Sequence, residues 1–174
     1  DCYFNECSVP YEGGAIAVDK GDQVLTMRRV TVARCTTQVR AGGMRFHGVA
    51  TLIDTHWIEC SSEYAAAFDL KLPVDLTMQG GTIARCFTWH HSTDASAFSA
   101  HDGSIVVLMG VEIADCFSPA GFAVAVAGMV RMVGCRLVRL GSDTATGMAG
   151  AIQSAGTLIL EDTIIEGLTP GGPS

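Results

Sequence analysis

Asparagine is nearly absent from this chain of 174 residues, occurring once at Asn5, and lysine occurs only at Lys20 and Lys71. Charged residues make up just 17%. So little charge beside so many apolar residues excludes a disordered chain. The acidic balance, a formal net charge of −7, lacks the basic stripe that nucleic-acid binding needs. Long apolar runs are missing as well. The longest, near 121–130, is roughly half of what a bilayer-spanning helix requires, so no membrane span is expected. There is no G-x-S-x-G, no phosphate loop and no zinc motif.

Hydrophobic residues are present at 48%, spread through the chain, together with 20 glycines and seven cysteines. Distributed apolar residues belong to a core, and here they recur at a fixed period. With Cys7, Cys35, Cys60, Cys86, Cys116, Leu140 and Leu168 as anchors, the spacings are 28, 25, 26, 30, 24 and 28 residues. Three residues before each anchor stand Phe4, Val32, Trp57, Ile83, Ile113, Leu137 and Ile165, all apolar. Eight before stand Met27, Leu52, Met78, Leu108, Met132 and Leu160, and ten before stand Leu25, Ala50, Leu76, Val106, Val130 and Leu158. Offsets of ten and eight share a parity, so both side chains face one side of a strand. Six before the anchor comes a turn former or polar residue: Arg29, Asp54, Gly80, Gly110, Gly134 or Asp162.

This pattern predicts an all-β fold, a right-handed parallel β-helix of about six to seven coils of 24–30 residues, each with three short strands. Leu25, Leu52, Ile83, Ile113 and Leu137 should share one continuous core. A leucine-rich repeat fails because no segment shows helical spacing over ten residues. Left-handed hexapeptide helices have shorter, stricter coils. Residues 1–174 are expected to form one β-helix segment within a longer chain or assembly. The chain opens in mid-motif at Asp1, and neither end carries the polar cap usual in repeat proteins.

The sequence Gly13-Gly14-Ala15-Ile16, with Phe4-x-x-Cys7, Val32-x-x-Cys35, Trp57-x-x-Cys60, Ile83-x-x-Cys86 and Ile113-x-x-Cys116, resembles the G-G-A-I and F-x-x-N repeats of polymorphic outer-membrane proteins. More broadly it resembles pectate-lyase-like β-helices. The resemblance implies a stacked solenoid, with cysteine in the asparagine slot. In the pectate-lyase-like group it further implies a groove in which acidic residues and a basic residue from adjacent coils act on polysaccharides.

Stacking places Cys7, Cys35, Cys60, Cys86 and Cys116 in one column, spaced about 4.8 Å. Parallel Cβ vectors favour buried thiols over disulfides between coils, and metal binding lacks ligand spacing. Cys2 and Cys135, five before their anchors, should face the core too. The richest candidate surface loop is Trp89, His90, His91 and Asp94, followed by His101 and Asp102. Adjacent residues on an extended chain point oppositely, so His90 and His91 do not readily share an ion; an exposed polar loop is the simpler reading. His47 and His56 read as isolated surface histidines. The outward slot beside the core pair holds Thr26, Thr51, Thr77, Val107, Arg131 and Ile159, without a carboxylate cluster. Asp54, Asp115 and Asp162 fit turns.

The sequence therefore points to a non-catalytic structural or adhesive module, extracellular or on a cell surface, or a filament or assembly component. No catalytic residue, cofactor or metal is assigned. The partners expected are identical or other subunits meeting the open ends, with glycans as further candidates. The alternative is a carbohydrate-active lyase or hydrolase. Two or three carboxylates beside an Arg or Lys on adjacent coils would favour it.

Overall fold

The computed structural model describes residues 1–20, 22–89, 95–119, 122–142, 150–167 and 169–170. Leu168, His90, His91 and Asp94 lie outside them. The described residues form no helix. All named strand pairs are parallel, and the chain winds as a β-solenoid of about six turns.

Each coil has four stretches of extended chain. The coil that starts at residue 16 shows them separately, as Ile16–Val18, Val24–Arg28, Val30–Ala33 and Thr36–Thr37. In the next two coils the first three merge into the long strands Met44–Ile58 and Phe68–Ala84. The fourth stretch is only two residues long and builds a separate seven-stranded sheet, from Ser8–Val9 to Thr169–Pro170. The three-strand expectation missed it because Thr36, Thr37, Ser61 and Ser62 carry no apolar alternation.

The register matches the repeat. Leu25, Ala50, Leu76, Val106, Val130 and Leu158 pair rung to rung, as do Met27, Leu52, Met78, Leu108, Met132 and Leu160. The column from Phe4 through Val32, Trp57, Ile83, Ile113 and Leu137 to Ile165 is likewise continuous. Leu52, Ile83, Ile113 and Leu137 are fully buried in one cluster, against which Leu25 packs partly buried. Trp57 is its largest member, edge-on to Phe68 with ring centroids 4.6 Å apart.

Two bends per coil are left-handed. The first holds Arg29, Asp54, Gly80, Gly110, Gly134 and Asp162, with φ from 47° to 65°. The second holds Glu6, Arg34, Glu59, Arg85, Asp115, Arg139 and Gly167, with φ from 48° to 64°. Such φ values are unfavourable for residues other than Gly, Asn and Asp. A solenoid tolerates them because each bend is fixed by its neighbours above and below. The paired glycines have a steric role instead: a Cβ on Gly14 would lie 2.1 Å from the Gly42 carbonyl oxygen, and one on Gly42 2.4 Å from that of Ser61.

Candidate functional site

The strand stretch that opens each coil alternates in and out. Met44, Phe68, Phe98 and Val124 form one inward column, and Phe46, Leu70, Ala100 and Val126 the other. Between them an outward column runs Ala17, Arg45, Asp69, Ser99, Ala125 and Gln153. An outward charge should be wet, yet Arg45 is 6% and Asp69 2% exposed. Residues of the preceding connections reach these strands: Arg40 faces Asp69, Glu12 pairs with Arg45, and the Ala95 amide donates to Ser99 Oγ at 3.2 Å.

Asp69 is the centre of this buried ionic cluster. His101 Nε2 stands 2.9 Å from its Oδ1, which bonds if that nitrogen carries the proton. Arg40 Nη1 and Arg45 Nε each lie 3.7 Å from its Oδ2, and Asp19 Oδ1 lies 3.9 Å from Arg45 Nε. The Arg40 guanidinium also sits 5.4 Å from the centre of the Tyr64 ring. Burial alone would push the Asp69 carboxyl up, but the His101 hydrogen bond and the charges of His101, Arg40 and Arg45 outweigh it. The net effect holds this carboxyl below the usual range. Asp69 Oδ2 and Arg45 Nε are buried and make no hydrogen bond, so their attraction is electrostatic across a gap.

Carboxylates and arginines from adjacent coils therefore do meet, on a face where sequence reasoning did not look. The slot that alternation offers for such a groove is the threonine-rich one of the following stretch. The available signal was that Arg45 and Asp69 share a slot in successive coils where Ala17, Ser99 and Ala125 are small. Chemically the cluster can orient His101 and neutralise Asp69. Asp69 itself is too enclosed to touch a large substrate, while the side chains of His101 and Arg40 are partly exposed.

Of the candidate loop, Trp89 lies within the described residues and is exposed. His56 lines an open depression of about 510 Å³ with Asp1, Cys2, Tyr3, Arg29, Thr31 and Asp54. Among the described residues no group of three or more His, Cys, Asp or Glu side chains is placed to hold a metal ion.

All seven cysteines are free. Cys35, Cys60, Cys86 and Cys116 are buried and Cys7 is half-buried. Their carbonyls form a ladder, accepting from Thr36 (for Cys7), Ser61, Phe87, Phe117 and Gly141 of the following coil. The thiols donate to backbone oxygens: Cys35 to Ala33 at 3.3 Å, Cys86 to Ala84 at 3.5 Å and Cys116 to Ala114 at 3.5 Å. Burial pushes the Cys35 thiol up to about 12. Contacts with Cys116 and Cys60, added to burial, push Cys86 well above the ordinary value. The Cys35 and Cys86 thiols are therefore protonated and poorly nucleophilic at neutral pH. Cys135 is buried, and Cys2 pairs with the buried Val30 in the same inward slot, yet at the first rung it is exposed. The Cys2–Asn5 strand has a paired neighbour on one side only, so nothing among the described residues covers it.

Comparison of the chain with protein-family models, with curated proteins and with solved structures finds no match.

Proposed function

We propose that the chain is a non-catalytic structural or adhesive solenoid module. The observation that carries this reading is the investment of the repeat in stacking. Three apolar columns run through every coil, fully buried in the middle ones, and the most enclosed charges are spent on one another. The last coil carries the same apolar residues into the open: Leu160 is 42% exposed where Met132 beneath it is 0%. Ile165 repeats this over Leu137. Unpaired strand edges with apolar side chains invite another β-coil, and further coils, a second copy or another subunit covering at least one of these edges is what is proposed. Sedimentation velocity tests it. Association that grows beyond a dimer with concentration and is lost on Leu160→Lys is expected, and no species larger than a dimer at any concentration contradicts it.

The Asp69–His101–Arg40 cluster favours a second reading, a polysaccharide lyase or hydrolase in which His101, oriented by Asp69, transfers a proton. Incubation with acidic and neutral polysaccharides separates the two, followed by reducing ends and by absorbance of unsaturated products. The scaffold reading expects no product. Cleavage that is lost on His101→Ala, or on combined replacement of His90, His91 and Asp94, overturns it.

A further inference from the structure

The two left-handed bends of each coil are filled very differently. The first uses Gly or Asp in five of its six full-coil positions, the residues that tolerate this conformation best. The second uses Glu6, Arg34, Glu59, Arg85, Asp115 and Arg139, charged at every one of these positions and alternating in sign without a break. Glycine would serve the bend at less cost, so the charges have their own role. Part of it lies within the chain. Arg34 Nε is 3.1 Å from Glu6, Arg85 Nε 2.9 Å from Glu59, and Arg139 makes two bonds to Asp115 at 2.5 and 2.7 Å. These pairs tie coils one to two, three to four and five to six. No such tie is needed for register, which the buried columns already set.

The edge is exposed, about 24 Å long for five rung spacings, and its charges have a symmetry. We infer that this bend is an interface with a second copy of the chain, related by a two-fold axis perpendicular to the solenoid axis. That axis passes between Glu59 and Arg85 and makes the solenoids antiparallel. Glu6 then meets Arg139 of the second copy, Arg34 meets Asp115, and Glu59 meets Arg85. Every contact is between opposite charges, and each occurs twice, as an isologous interface requires.

Two alternatives do worse on the same residues, and antiparallel pairings shifted by two coils match only four of the six charges. A two-fold axis parallel to the solenoids faces Glu6 with Glu6 and Arg34 with Arg34, so every rung is repulsive. A parallel alignment shifted by one coil matches charges but does not close on itself.

The flanking columns fit the antiparallel form. On one side Tyr3 faces Arg136, Thr31 faces Glu112 and His56 faces Thr82, with no like charges opposed. On the other side lie Phe87 and Phe117, stacked with centroids 5.7 Å apart, and Phe87 is exposed. They face Ser61 and Thr36 of the second copy, so small hydroxyl residues meet the rings. Exposed ion pairs contribute little affinity one at a time, and complementary charge chiefly sets register and encounter rate. The dimer is therefore expected to be weak and strongly salt-dependent.

Sedimentation velocity on the full 174-residue chain carrying Leu160→Lys, which removes stacking at the ends, tests this. A dimer at low ionic strength that dissociates at high ionic strength is expected. Glu59→Arg and Arg85→Glu, each added singly, should give monomers, because like charges then meet at the axis. Mixing these two variants in equal amounts should restore the dimer, since 59 and 85 are both positive in one chain and both negative in the other. A role confined to pairing within the chain predicts no restoration on mixing, because each variant keeps its internal repulsion. That result overturns the inference, as does a dimer indifferent to salt and to Glu59→Arg, or a monomer throughout.

Discussion

Replacing Asp69 with Ala should destabilise the chain by about 3 kcal/mol, through the partner it leaves behind. Arg45 is almost wholly buried, and Asp69 is one of three carboxylates that face it. Removing one member of a buried ion pair typically costs about 3–5 kcal/mol, because the surviving charge is uncompensated. The lower end applies here, since Glu12 and Asp19 still face Arg45. For a domain of this size the loss corresponds to a drop in Tm of about 10 °C. Replacing both partners, Arg45→Met with Asp69→Leu, should recover most of it, because an apolar pair of similar volume carries no desolvation penalty. The acid side supplies a check. The carboxyl is held low in the folded state, so its contribution is fully present above the unfolded value near 3.9. It is lost as pH falls through the folded value. Urea titrations at neutral pH and over a series of pH values well below the unfolded value should show the Asp69→Ala deficit at neutral pH and its disappearance once the folded carboxyl is protonated. A deficit under about 1 kcal/mol, or one unchanged at low pH, would refute the view that this cluster locks the coils.

Native alkylation followed by mass spectrometry should label Cys2 first and leave Cys35, Cys60, Cys86 and Cys116 unreacted until denaturant is added; masses indicating disulfides between successive anchors would contradict the thiol ladder. Trp57→Ala should cost about 4 kcal/mol from cavity formation, read as a fall in the urea midpoint at constant slope. A cost near zero would mean that the middle of the core is not packed as described. Gly42→Val should prevent folding or displace the coil opening, because there is no room for a Cβ between Gly42 and the Ser61 carbonyl. A fully stable Gly42→Val variant would contradict that close approach.

The solenoid was legible because its period is written in side chains that all do the same thing. Trp57, Ile83 and Ile113 had to be apolar, and their spacing located every rung. The Asp69 cluster was not legible, for two physical reasons. Its members sit on the outward slot of a strand, where alternation predicts solvent, and only the fold shows that the connections cover them. Its second cation, Arg40, comes from a connection whose path no periodicity constrains. Cys2 misled for a related reason: its slot is buried at Cys135 but uncovered at the first rung. The alternating charges from Glu6 to Arg139 were readable in the register, one residue before each anchor. Their meaning depended on the positive φ of the bend.

The central claim is the stack itself, and a crystal structure of the 174-residue chain tests it most directly. It should show Met27, Leu52, Met78, Leu108 and Met132 as one buried column, with successive Cα atoms about 4.8 Å apart. Helices of ten or more residues running across the repeats, or these five side chains dispersed among separate strands, would contradict it.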